Sequence, residues 1–100
     1  MTWLRAMAVS ELAKGSGKAV EMAGQSIAIF NVRGKMHALE NHCMHRGGQL
    51  GEGFLDGGLV TCPWHAWQFD VTTGQCDTLK GSKQKTFKTK IEKNDIYVDI

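Results

Sequence analysis

Apolar and polar positions alternate along two parts of this chain. In "KAVEM" (18–22), "SIAIFNV" (26–32) and "MHALE" (36–40) the two-residue period of a β-strand recurs. The stretches "AGQ" and "RGK" separate them, and Gly24 and Gly34 are placed to supply the positive φ that tight hairpins require. Near the other end, "KTFKTKIE" (85–92) sets Phe87, Thr89 and Ile91 on one face and Lys88, Lys90 and Glu92 on the other. "NDIYVDI" (94–100) follows after a turn expected at Asn94–Asp95. Only "VSELAKG" (9–15) has helical character, with Ser10 as its expected N-cap. Short strands at this spacing predict an all-β fold, a small antiparallel β-sandwich or barrel.

The middle of the chain breaks the pattern. Sixteen residues separate His45 from Cys62, and six of the twelve glycines fall among them: Gly47, Gly48, Gly51, Gly53, Gly57 and Gly58. Such a segment is poor strand or helix material, but it can wrap closely around something. Residues about 41–79 are therefore expected to form a subdomain inserted between the strands of a single domain spanning 1–100.

Composition narrows the function classes. An apolar share of 42% and a charged share of 22% are those of an ordinary globular domain. A net charge of +2 is too small to imply a nucleic-acid partner, which usually shows as a clustered basic face. No apolar run approaches the ~20 residues of a membrane span. The opening "MTWLRAMAVSELAKG" lacks the apolar block of a signal peptide, so the expected location is cytoplasmic. Three cysteines, an odd number, do not suit a complete disulfide framework. Cys76 is expected to be a small buried apolar residue.

The chemistry lies in "NHCMHRGGQL" and "TCPWHAW", which hold Cys43 and His45 as C-x-H, then Cys62 and His65 as C-x-x-H. Zinc is one candidate metal. Structural zinc sites usually pair like ligands, two Cys in one loop and two His in another, whereas here each loop supplies one of each. The mixture suits two metal atoms straddled by both loops, with thiolates gathered on one and imidazoles on the other. A Rieske 2Fe–2S cluster has this ligand set.

The spacing and its surroundings resemble the Rieske iron–sulfur family. The likeness covers "CMHRGGQLGEGFLDGGLVTCPWHAWQFDVTTGQ", with L-x-x-G after the first motif, W-x-F-D after the second His and a closing "TG", and extends to "DIYVDI" as the last strand. The resemblance implies a β-sandwich of Rieske type with an inserted cluster-binding subdomain. It implies one 2Fe–2S cluster, held through sulfur by Cys43 and Cys62 and through ring nitrogens by His45 and His65.

Formal charge explains what that ligand set does. Replacing two thiolates by neutral imidazoles takes the oxidised cluster from a dianion to neutral, and a neutral centre accepts an electron more readily. Rieske potentials run from about −150 to +300 mV, against about −400 mV for plant-type ferredoxins. In high-potential respiratory members an extra Cys pair ties the cluster loops together, and a Ser and a Tyr hydroxyl donate toward sulfur. The corresponding positions here are Gly48, Trp64, Trp67 and Phe69, which offer neither. Fewer donors make reduction harder, so the resemblance implies a potential near the bottom of the Rieske range. It also places the second ring nitrogen of His45 and His65 at the surface. A midpoint that falls as pH rises through their titration is expected.

Other residues carry open alternatives. Pro63 either sets the angle of the Cys62 thiolate or is an ordinary turn residue. Trp64, Trp67 and Phe69 either shield the cluster or pack the core. His37 is expected to be a half-buried or surface strand residue, and His42 to support the site at most indirectly. Lys83, Lys85, Lys88, Lys90 and Lys93 form either a solvated face or a dock for an acidic partner.

Four functions compete. The first is a stand-alone Rieske ferredoxin, a monomer carrying single electrons from a flavin-dependent NAD(P)H reductase to a terminal oxygenase through transient contacts, and not itself an enzyme. The second is an oxygenase fragment, which would need a mononuclear iron site that His37 and His42 are poorly placed to supply. The third is the small Rieske-like subunit of a nitrite reductase complex, and the fourth a structural zinc module. Retention of all four ligands favours the first.

Overall fold

The computed structural model describes residues 2–42, 49–63, 67–78 and 81–100. Among these described residues, ten strands form three antiparallel sheets. In the first sheet β1 (Trp3–Ala8) pairs with β10 (Asp95–Asp99), which pairs with β9 (Thr89–Glu92). The second runs β2 (Gly17–Met22), β3 (Gln25–Val32), β4 (Lys35–Glu40) and β8 (Thr86–Phe87). The third holds β5 (Phe54–Asp56), β6 (Leu59–Thr61) and β7 (Gln68–Asp70). The all-β expectation holds, and the middle of the chain contributes a sheet of its own.

The second sheet lies at the centre, and β3 shows why. Ile27 and Ile29 point to one face and enter a core with Met7, Leu12, Met22, Met36, Ala38, Ile96 and Val98. Ala28 and Phe30 point to the other and join Leu39, Leu50, Val60, Cys62, Phe69, Val71 and Cys76. Successive strand residues face opposite ways, so a continuous apolar run from Ile27 to Phe30 serves a strand covered on both sides. The first sheet covers one face, and the residues of the third cover the other.

Three hairpins have two-residue turns in which both central residues have positive φ: Ala23–Gly24, Arg33–Gly34 and Lys93–Asn94. This is the type I′ arrangement, whose twist matches that of the flanking strands. The expected roles of Gly24 and Gly34 are borne out. The last turn sits one residue earlier than expected, because Asp95 is already paired with Glu92.

Two local expectations are corrected. The helix over 9–15 is a single 3₁₀ turn, Val9–Glu11, and Ser10 lies inside it rather than capping it. The Glu11 carboxylate accepts the Ala8 amide at 3.0 Å, and the chain leaves the turn when Leu12 is drawn into the core. The stretch 85–92 is two strands in two sheets, broken at Lys88. Phe87 faces inward on the second sheet, while Ile91 on β9 is largely exposed.

Candidate metal centre

Cys43, His45 and His65 lie outside the described residues, as do Gly48 and Trp64. What the structure describes are the supports at the base of each ligand-bearing loop. Cys62 follows directly on β6, with its side chain 1% exposed in the core between the second and third sheets. Its amide donates to the Trp67 carbonyl at 2.7 Å, which brings the described residues on either side of the second motif together. The described residues on either side of the first motif meet in the same manner. His42 and Gln49 form an isolated antiparallel bridge, and the Leu50 amide donates to the Asn41 carbonyl at 2.7 Å. Leu50 then enters the same core as Cys62, so one apolar cluster anchors both loops.

Asn41 and Gln84 are the polar parts of this base, and both are buried. The Asn41 side-chain amide donates to Ser26 Oγ at 3.0 Å and Gln49 Oε1 at 3.2 Å, while its oxygen accepts the Gly51 amide at 2.8 Å. It thus ties β3 to both sides of the first loop. Gln84 Nε2 donates to the carbonyls of Glu40 and His42, holding the exit from β4. Each bond satisfies a group that would otherwise be buried without a partner, at a cost of about 1–3 kcal/mol apiece.

Two glycines make these approaches possible. At Gly74, with φ of +81°, a Cβ would stand 2.2 Å from the Gln84 carbonyl oxygen. The Gln84 amide donates to the Gly74 carbonyl at 2.6 Å, so the "TG" turn seats the residue that staples the first loop. At Gly53 a Cβ would stand 2.3 Å from the Thr61 carbonyl, beside Cys62. The L-x-x-G motif therefore pairs a core anchor, Leu50, with a close backbone contact.

The remaining expectations divide. Phe69 is wholly buried and Trp67 packs against the same core, so packing accounts for both. Cys76 is buried there too, as expected. His37 is a half-buried strand residue; burial pushes its imidazole below the usual pKa, Asp70 opposes this and Lys35 adds to it. His42 contributes its backbone to the base of the loop, with an exposed ring. The lysines are partly engaged: Lys90 lies 4.6 Å over Trp3 and 3.0 Å from Glu92, and Lys85 lies 5.1 Å over Phe87. Among the described residues no group of three or more His, Cys, Asp or Glu could hold a metal ion, three of the four expected ligands being outside them. Sequence reasoning missed Asn41 and Gln84. Their only signal is a polar residue beside an apolar strand, which is too common to single them out.

The fold and the donor set meet in one further observation. Residues 2–91 match the Rieske [2Fe-2S] domain. The chain belongs to the Rieske family. The cofactor of a Rieske domain is a single 2Fe–2S cluster, and a buried Cys62, packed in the same core as Leu50, fits a thiolate ligand to it.

This Rieske chain is 31% identical over 99 residues to the ferredoxin component of the naphthalene 1,2-dioxygenase system of Pseudomonas putida, a match covering 98% of this chain and 95% of that one. Among solved structures it is similar to the Sphingomonas yanoikuyae B1 ferredoxin, with a TM-score of 0.90 and 28% identity over 99% of both chains. It is also similar to a chain from the complex of reduced oxygenase and oxidised ferredoxin in carbazole 1,9a-dioxygenase, with a TM-score of 0.89 and 30% identity over 96% of this chain and 91% of that one. Among the described residues no helix is long and apolar enough to cross a membrane.

Proposed function

We propose that this protein is a one-electron carrier, the ferredoxin component of a ring-hydroxylating oxygenase system. It takes electrons from a flavin-dependent NAD(P)H reductase and passes them to a terminal oxygenase, and is not itself catalytic. The observation that carries this reading is the two-way match with a dioxygenase ferredoxin, which pairs nearly all of each chain. Its working form is a cytoplasmic monomer that meets each partner transiently.

In this reading residues about 41–79 are the cluster-binding subdomain. Cys43 and Cys62 bind one iron through sulfur, and His45 and His65 bind the other through nitrogen. When bound, the cluster supplies a one-electron couple of low Rieske potential. The protein's part is to fix the ligands. Asn41, Gln84 and the Cys62 amide hold the two loop bases, and the Leu50–Val60–Phe69 core keeps water from the Cys62 side.

The test is spectroscopic and kinetic. Purified protein should show Rieske absorption and, after dithionite reduction, an EPR signal of nitrogen-ligated 2Fe–2S. Substituting Ala at His45 or His65 should abolish or alter that signal, while His37→Ala leaves it intact. Equal effects at all three positions would overturn the ligand assignment. Zinc in place of iron would overturn the carrier reading.

A further inference from the structure

The overall charge of +2 conceals a division. Residues 41–79 contain four carboxylates, Glu52, Asp56, Asp70 and Asp77, against one cation, Arg46. That segment is net −3, and the eleven cations and six carboxylates elsewhere leave the remainder at +5. In the described parts of the segment, 49–63 and 67–78, there is no Lys or Arg at all. The chain is electrically polarised, with its negative part carrying the expected cluster ligands.

The outer face of the third sheet gives this charge a shape. Phe54 pairs with Thr61, and Thr61 with Gln68. The Asp77 amide donates to the Gln68 carbonyl at 2.7 Å, and the Phe69–Cys76 bridge puts Asp77 opposite Gln68. Facing residues of an antiparallel pair share one side of the sheet. Phe54, Thr61, Gln68 and Asp77 therefore form one row across the outer face, level with the end of β6 where Cys62 follows. Exposed Glu52 ends the 3₁₀ turn Leu50–Glu52, two residues before Phe54 in the chain. Phe54 is 72% exposed, the most exposed large apolar side chain among the described residues. None of the ion pairs among them involves Glu52 or Asp77. Asp56 is set apart, since it shares a groove with Lys14 and Arg33.

We propose that this row is a docking surface for a redox partner whose own face presents Lys or Arg groups around an apolar pocket. Phe54 enters the pocket, and Glu52 and Asp77 meet the cations. An exposed aromatic at one end of a row that closes on a carboxylate, with a second carboxylate just before it in the chain, combines a contact anchor with a steering field. Cationic complementarity is the argument for the occupant: a basic face is drawn to the negative part of the molecule and repelled by the lysines of β9 and the 93–94 turn. The inference rests on the electron-carrier reading, and its test keeps the two apart.

Holo-protein, pre-reduced with dithionite and freed of excess, is mixed with ferric cytochrome c, a basic haem protein, as the probe. One electron leaves the cluster and reduces one haem iron from Fe(III) to Fe(II). Ferricyanide, a small anion, serves as a second acceptor. Charge screening extends about 30 Å at 0.01 M salt and about 10 Å at 0.1 M, so the cytochrome rate should fall about tenfold between low and moderate salt. The E52Q/D77N double variant should lower the low-salt rate at least threefold and flatten the salt dependence. F54A should lower the rate at both salt concentrations. K88Q/K93Q should not slow cytochrome reduction. The ferricyanide rate should not fall in any of these variants. Wild-type cytochrome kinetics in E52Q/D77N and F54A, or slowing by the lysine variant, would overturn the docking surface. A holo-protein with an intact spectrum that reduces neither acceptor would overturn the carrier reading and the surface with it.

Discussion

Gly74 shows how much one hydrogen atom in place of a methyl group can decide. Its positive φ and the 2.2 Å approach of the Gln84 carbonyl leave no room for a Cβ. Gly74→Ala is expected to lower stability by about 3 kcal/mol, from left-handed strain and displacement of Gln84 together. In thermal unfolding that is a drop of roughly 10–20 °C for a domain of this size. The same variant should lose 2Fe–2S content more readily than wild type, because Gln84 is what holds the carbonyls of Glu40 and His42. His37 gives a pH signature. Its imidazole is held below the usual pKa by burial, with Asp70 opposing and Lys35 reinforcing. The unfolded chain then binds this proton at higher pH than the folded one does. The His37 contribution is full above the unfolded pKa of about 6.5 and is lost as pH falls from there through the folded value. Melting temperatures taken from pH 7.5 to 5 should therefore fall more steeply in wild type than in His37→Gln. Parallel curves would place the acid sensitivity elsewhere.

At the scale of elements, the hairpins were the most legible part of the chain. "AGQ" and "RGK" each put Gly at the second turn position, where positive φ is needed, and the structure uses both. The first turn position is less well matched, because Ala23 also has positive φ, at 49°. Asn tolerates that conformation better than Ala, so Ala23→Asn should raise stability by about 0.5 kcal/mol, a few degrees in melting temperature. What the periodicity could not disclose was which strands are covered on both faces. "SIAIFNV" reads as one more strand, yet β3 is the centre of the molecule because sheets lie on both sides of it. Nor could it divide "KTFKTKIE" between two sheets, since a chain crossing from one layer to the next keeps its alternation through Lys88. The three-residue strands β5, β6 and β7 lie below the length at which a pattern can be read. Their register depends instead on the Gly57–Gly58 turn and on burial of Val60 and Phe69. The C-x-H and C-x-x-H pairs could be proposed from the sequence because metal chemistry restricts both residue type and spacing. The loop supports were not, because hydrogen bonds from Asn41 and Gln84 arise only once distant segments meet.

For the whole molecule, the two cores divide the work. One, between the first and second sheets, contains none of the expected ligands. The other contains Cys62 and is built in large part from the short third sheet. A metal centre that binds only the folded chain adds its binding free energy to stability. Cluster removal should therefore lower the melting temperature by about 10 °C or more. Its effect should be uneven in hydrogen exchange. Amides of β5, β6 and β7 should lose protection in the apo-protein, while those of β3 and β10 stay protected. Uniform loss across all three sheets would show that the two cores unfold as one unit.

The pairing of β1 with β10 has a consequence for chain topology. Trp3 stands opposite Asp99, and the Ile100 amide donates to the Thr2 carbonyl at 2.9 Å. The first and last described residues are thus neighbours in space, though nearly the full length of the chain separates them in sequence. A few added residues could join them, and new ends could be opened at the exposed Lys93–Asn94 turn, on the far side of the first sheet's pairing. Circular permutants of this kind are tolerated where the ends are close and the new break is exposed. Here the order of Cys43, His45, Cys62 and His65 along the chain would be unchanged by the cut, so loading of the centre would be independent of where the polypeptide starts.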